Sequence, residues 1–167
     1  MDETGFRSFF GSIPSAVAVV TAVDGDGVPQ GFTCNALCAV SADPPLLLVC
    51  ADERSRTLPV LLAAGGFAVH LLADDGEELA RVFASRSERK FDGVAWSPSE
   101  VAGGAPLIEY GVLATAECTL ARALEAGDHC VLLGRMEQVR VHPRRPVLYQ
   151  RGVFTAWDGA AEPAARA

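Results

Sequence analysis

Apolar and polar positions change period several times along the chain, and each change marks an element. Residues Thr4 to Ile13 place Phe6, Phe9, Phe10 and Ile13 three and four apart, with Pro14 after them. That spacing predicts a short helix with one apolar face, packed over the core or a partner subunit. From Ser15 to Val23 the chain reads SAVAVVTAV, β-branched at alternate positions and apolar on both faces, which predicts a buried strand. Asp24-Gly25-Asp26-Gly27 supplies a hairpin turn, and the next strand runs from Pro29 into Thr33–Asn35. Pro44-Pro45 closes that region, and Leu46 to Ala51 forms another buried strand. Ser55 is the expected N-cap of a helix carrying Leu58, Leu61 and Leu62 on one face. Phe67 to Leu72 is a further strand. Asp74 and Glu77 stand at capping-box spacing before a helix that carries Leu79, Val82 and Phe83.

The second half continues in the same way. Val94 to Trp96 is a short strand, and Ser97 to Pro106 is a loop. Val112 to Leu120 alternates Thr115, Glu117 and Thr119 with Ala114, Ala116, Cys118 and Leu120, the pattern of a half-exposed strand. Glu125 to His129 forms a turn into a strand from Cys130 to Val141, and Pro146 to Gln150 is the last strand. From Gly159 onward the sequence GAAEPAARA predicts a disordered tail, leaving 1–158 as one domain. Strands in hairpins, about seven of them, are joined by two or three helices without regular alternation. This favours a mainly β, antiparallel barrel with flanking helices over a parallel α/β sheet.

Composition narrows the function classes. Half of the 167 residues are hydrophobic, enough to fill one core. A net charge of −7 argues against nucleic acid and membrane surfaces as general partners, since both are anionic. It leaves room for a local positive patch that takes a small phosphate-bearing ligand. No apolar run reaches the roughly 18 residues of a membrane span. The start, MDETGFRSFF, lacks the basic region of a signal peptide. The five cysteines, Cys34, Cys38, Cys50, Cys118 and Cys130, are odd in number with core-like flanks. Reduced thiols in a cytoplasmic protein are the simplest account. A zinc or redox site built on Cys34 and Cys38 ranks last, because no paired CxxC or HxxxH accompanies them; no metal is expected.

The chemistry gathers around Gly31 to Pro45, GFTCNALCAVSADPP. Its run Thr33-Cys34-Asn35-Ala36 has short side chains and accessible amides, and can lie flat against a planar, hydrogen-bonding ring. A dinucleotide fingerprint fails, because Gly25-x-Gly27 is followed at the sixth position by Gln30, and no Walker A sequence exists. Ser55 and Thr57, flanked by Arg54 and Arg56 at a helix start, suit a phosphate. Lys90 is the only lysine beside thirteen arginines, a hint that a compact ammonium matters there. His70, in an apolar strand, is expected in the core. His129 stands beside Asp128 at a turn–strand junction, where an imidazole can face a cleft and be oriented by its neighbour.

In this order and spacing, these segments resemble the short-chain flavin reductases, the NAD(P)H:flavin oxidoreductase partners of two-component flavin monooxygenases. The resemblance runs from about Phe6 to Phe154. It is carried by Phe10-Gly11-Ser12-Ile13-Pro14 with Val19-Val20-Thr21, Gly31 to Ala36, Val40 to Leu46, Ser55-Arg56-Thr57, Lys90-Phe91-Asp92-Gly93 and Gly127-Asp128-His129. It implies a Greek-key split β-barrel acting as a homodimer, with FAD or FMN as flavin and NADH or NADPH as hydride donor. By the same resemblance, Thr33, Cys34, Asn35 and Ala36 line the isoalloxazine, and Phe32 and Ser41 are counted among the cofactor-binding residues. Ser55, Thr57, Lys90 and Phe91 hold the ribityl phosphate, and Arg56 and Arg89 are counted among the cofactor-binding residues. His129 positions the nicotinamide, with Tyr149 and Arg151 near the nucleotide. Ala36 stands where relatives often carry serine, which removes one side-chain hydrogen bond. A separate monooxygenase would receive reduced flavin by diffusion. The alternative is a non-catalytic flavin carrier or sensor on the same barrel.

Overall fold

A computed structural model describes residues 2–159. Beyond Gly159, the expected tail lies outside the described residues. In chain order the elements are α1 (Glu3–Gly11), β1 (Ser15–Ala16), β2 (Ala18–Val23), β3 (Pro29–Cys34), β4 (Leu37–Ala42) and β5 (Pro45–Asp52). Next come α2 (Thr57–Ala64), β6 (Gly66–Leu72), α3 (Glu77–Ala84), β7 (Trp96–Pro98) and β8 (Pro106–Ile108). The long hairpin β9 (Val112–Ala126) and β10 (His129–Val141) follows, and then β11 (Val147–Gln150) and β12 (Val153–Ala156).

Seven strands form one antiparallel sheet in the order β3-β2-β6-β9-β10-β5-β4. Its two edge strands, β3 and β4, are consecutive in the chain and joined only by Asn35 and Ala36. A sheet whose opposite edges are tied by so short a link must curl until they meet. Cys50 N–H donates to the Ala36 carbonyl at 2.9 Å and fastens the junction. The result is a barrel closed at Asn35-Ala36 and split elsewhere between β3 and β4.

Strand β2 is buried on both faces, which explains its unbroken apolar sequence. Ala18, Val20 and Ala22 face the interior with Val49, Phe67, Val69, Cys118 and Leu132. Val17 and Val19 pack outside it with Leu72, Ala80, Phe83, Ile108 and Val147. The second layer exists because α3 lies across β2 and β3 with Ala80 and Phe83 buried. Gly31 makes this close approach possible: a Cβ there would sit 2.7 Å from Phe83 Cε1.

The structure differs from the sequence expectations in several places, each for an identifiable reason. Val17 interrupts the first strand, so β1 pairs with β11 and β2 with β3 and β6. Pro44-Pro45 does not end the region. Asp43-Pro44 is the turn of a hairpin in which β4, unexpected as a strand of its own, pairs with β5. The capping box before α3 does not form. Asp74 is drawn to Arg145 at 2.8 Å and Glu77 to Arg81 at 2.6 Å, leaving Gly76 at the N-cap. The expected loop over 97–106 is the inner part of a hairpin in which β7 pairs with β8. β8 packs on β2 and β6, and Thr115 and Glu117 of β9 are buried rather than half-exposed. Ser99 Oγ donates to Glu117 Oε2 at 2.5 Å. Finally, β9 runs on to Ala126, past the expected stop at Leu120, because β10 pairs with it as far as His129.

Candidate active site

Beside the β3–β4 junction a cleft of about 720 Å³ opens. Its floor is the segment Pro29 to Ala36, with Cys50 beside it. One wall is Asp52 and Arg54 to Thr57 with His129; the facing wall is Phe83 to Glu88 with Lys90 and Phe91. Topology brings these parts together. His129 opens β10 opposite Asp52, the last residue of β5, so the imidazole stands next to the chain entering α2.

The floor is locked from below. The Thr33 hydroxyl donates to the Ala80 carbonyl at 2.6 Å, tying β3 to α3. The Cys34 thiol is buried, reaching the Ala36 and Cys50 carbonyls at 3.4 and 3.7 Å. Burial pushes that thiol up to about 11, so it stays protonated and inert at neutral pH. These two residues therefore offer the cleft backbone more than side chain. Asn35 and Ala36 are exposed, and among the described residues the Asn35 amide makes one long contact, to Ser15 Oγ at 3.5 Å.

The walls carry the cationic groups. Arg56 reaches across to the segment after α3: Nη1 lies 2.9 Å from Glu88 Oε1, and Nη2 donates to the Arg86 carbonyl at 2.7 Å. Ser55 is not the N-cap of α2: Arg56 occupies that position without a side-chain cap, and Ser55 Oγ accepts only from Thr57 N–H, at 3.3 Å. Lys90 Nζ donates to the Phe83 and Gly31 carbonyls at 2.8 and 3.0 Å. It thus closes the C-terminus of α3 and clips it to the floor. Burial first, then the Arg56 charge, lowers its pKa.

His129 Nδ1 lies 2.8 Å from Asp128 Oδ1. With Nδ1–H donating to that carboxylate, Nε2 is the ring nitrogen left for a ligand. The hydrogen bond from His129 holds the Asp128 carboxyl below its ordinary range. Hydrogen bonds from the Arg54 guanidinium and backbone hold Asp52 down at about 2. Both neighbours of the imidazole are therefore anionic at neutral pH.

Of the residues expected around a ligand, Phe32, Thr33, Cys34, Asn35, Ala36, Ser55, Arg56, Thr57, Lys90, Phe91 and His129 all line this cleft. Tyr149 lines a neighbouring cleft of about 550 Å³ that shares Thr33, Asn35, Ala84 and Ser85 with the first. There Arg81 lies 5.1 Å from the Phe154 ring centre, and Tyr149 packs on the same ring at 5.2 Å. Ser41, Arg89 and Arg151 line neither cleft. Ser41 sits at a bulge in β4, Arg89 is exposed, and Arg151 occupies the β11–β12 turn with φ 48°. Sequence reasoning missed Asp52, Ser85, Ser87 and Glu88. The triplet Ser85-Arg86-Ser87 repeats the hydroxyl–arginine–hydroxyl pattern of 55–57 and was the available signal.

A floor of small residues between hydroxyls, free amides and an arginine fits a flat ring with an anionic tail. The relatives carry the same message. Residues 10–158 match the flavin reductase like domain. The chain belongs to that family. It is 41% identical over 165 residues to the flavin reductase (NADH) of Kitasatospora aureofaciens, covering 98% of this chain and 86% of that one. It is 38% identical to HsaB, the reductase subunit of a flavin-dependent monooxygenase of Mycobacterium tuberculosis, over 93% of this chain and 82% of that one. Among solved structures, the NADH:FAD oxidoreductase SgcE6 of Streptomyces globisporus, in complex with NAD and FAD fragments, superposes with a TM-score of 0.87. That match has 36% identity and covers 96% of each chain.

Proposed function

We propose that this chain is an NAD(P)H:flavin oxidoreductase that reduces FAD or FMN and releases the reduced flavin to a separate flavin-dependent monooxygenase. One observation carries the reading: a small-residue floor, an arginine-bearing helix start and an oriented imidazole line one open cleft. A bound flavin supplies the hydride-accepting ring system, with NADH or NADPH as donor. The chain's residues bind and orient. The Thr33–Ala36 backbone presents amides to the ring, with Phe32 beside it. Ser55, Arg56 and Thr57 hold the phosphate at the start of α2, next to Lys90 and Phe91. His129, turned by Asp128, presents Nε2 to the nicotinamide carboxamide, with Tyr149 near the nucleotide. No residue needs to act as a strong acid or nucleophile, because stacking two flat rings in register is the main requirement.

Residues 1–158 act as one catalytic unit, working in the cytoplasm as a homodimer. The exposed Phe6, Phe9, Phe10 and Ile13 of the N-terminal segment support the dimer. No helix among the described residues is long and apolar enough to cross a membrane. The test is anaerobic oxidation of NADH and NADPH by the purified protein, with FMN and FAD supplied separately. Turnover that saturates in both flavin and nicotinamide supports the reductase. A flavin that co-purifies, does not exchange and is not reduced points instead to a carrier.

A further inference from the structure

The cationic group best placed to meet a phosphate already has an anionic partner. Arg56 Nη1 is 2.9 Å from Glu88 Oε1, while Nη2 donates to the Arg86 and Ser87 carbonyls at 2.7 and 3.4 Å. Arg56 and Glu88 both line the cleft, among the hydroxyls of Ser55, Thr57, Ser85 and Ser87. Their side chains are 56% and 84% exposed, so the pair is held by the contact itself and not by burial. The three contacts differ in kind. The two carbonyls fix the guanidinium to the loop after α3 without neutralising it. Glu88 alone neutralises it, and Arg56 is the one ion-pair partner of Glu88 among the described residues.

From this geometry we infer that Glu88 is a built-in competitor for the flavin phosphate: its carboxylate occupies the anion seat on Arg56, weakens flavin binding and speeds flavin release. The inference rests on the reading of the cleft as a flavin site. A reductase that hands reduced flavin to another protein must let it go. An exposed carboxylate that swings back onto Arg56 as the phosphate leaves provides for that step. Because the two carbonyls keep Arg56 across the cleft, removing the Glu88 charge leaves the loop anchored.

The experiment compares FMN with riboflavin, which has the same ring and no phosphate, by fluorescence titration of wild type, Glu88→Gln and Arg56→Ala, with FMN release followed by stopped-flow displacement. For Glu88→Gln the FMN Kd is expected to fall roughly threefold to tenfold, the scale of one nearby exposed charge. The release rate carries most of that change, and the riboflavin Kd stays the same. Equal shifts for FMN and riboflavin, or no shift in either, overturn the proposal while leaving the flavin site intact. A wild type that binds neither flavin overturns the parent reading itself. A wild type that binds both equally well, with Arg56→Ala unchanged, removes the phosphate seat and with it the role of Glu88.

Discussion

His129 and His70 occupy opposite environments at the scale of single residues. His129 is half-exposed at the head of a strand, with Nδ1 toward Asp128. On the proposed reading, in which His129 positions the nicotinamide, replacing it with alanine leaves the flavin contacts in place. Rapid-mixing measurements should show hydride transfer slowed on the order of tenfold to a hundredfold, the cost of a small misplacement, with flavin Kd nearly unchanged. A collapse of flavin affinity would move His129 to the flavin itself. His70 is fully buried in β6, its Nδ1 on the Val19 carbonyl at 3.1 Å and its Nε2 accepting from Ile108 N–H at 3.1 Å. Burial lowers its pKa from 6.5 to about 4. Between those values the unfolded chain binds a proton that the folded chain refuses, so stability is full above pH 6.5 and falls as pH drops toward 4. The expected slope is about 1.4 kcal/mol per pH unit. Urea midpoints at pH 7 and pH 5 should differ accordingly, and His70→Gln, which can serve both partners, should lose that difference. The sequence placed His70 in the core because its strand is apolar. It could not show that the Thr33 hydroxyl is taken by the Ala80 carbonyl, a partner 47 residues away.

Between elements, the contact of α3 with β3 does most to shape the cleft. Phe83 lies on Gly31, and Lys90 bridges the Phe83 and Gly31 carbonyls, so helix, strand and loop meet at one point. A Cβ at Gly31 would stand 2.7 Å from Phe83 Cε1 and 3.0 Å from the Val20 carbonyl. Gly31→Ala should therefore cost about 1–3 kcal/mol in urea unfolding, as overpacking does. It should also loosen flavin binding by shifting the floor. Phe83→Leu in the same chain should restore part of the lost stability, and a strictly additive double mutant would separate the two sites. Most central strands and the hairpin at 24–27 were legible from pattern alone, because apolar alternation and Asp-Gly turns act locally, whereas β4, β8 and β12 (which follows the expected last strand) were not. The capping box failed because Asp74 pairs with Arg145, far along the chain. The length of β9 was hidden for a similar reason. Ala121 to Ala126 has no strand pattern of its own and is held extended by β10.

At the scale of the whole molecule, the first helix is unsatisfied. Phe6, Phe9, Phe10 and Ile13 are 52%, 63%, 54% and 50% exposed, and Phe10 packs against Phe6 and Phe9 at 4.7 and 5.1 Å. The periodicity gave the apolar face and left open whether core or partner covers it; among the described residues, α1 has none that is buried. Light scattering behind a sizing column should find a dimer for the wild type and a monomer for Phe9→Glu, with the far-ultraviolet spectrum unchanged. A dimer that persists in Phe9→Glu would place the interface elsewhere. The closure of the sheet has a consequence of another kind. Asn35 and Ala36 join its two edges and also form part of the cleft floor. An inserted residue there cannot bulge outward as it would in an ordinary loop, because it would widen the slit and lift the floor together. The segment after α3 forms a wall of the cleft and closes no sheet, so its length can change without moving the floor.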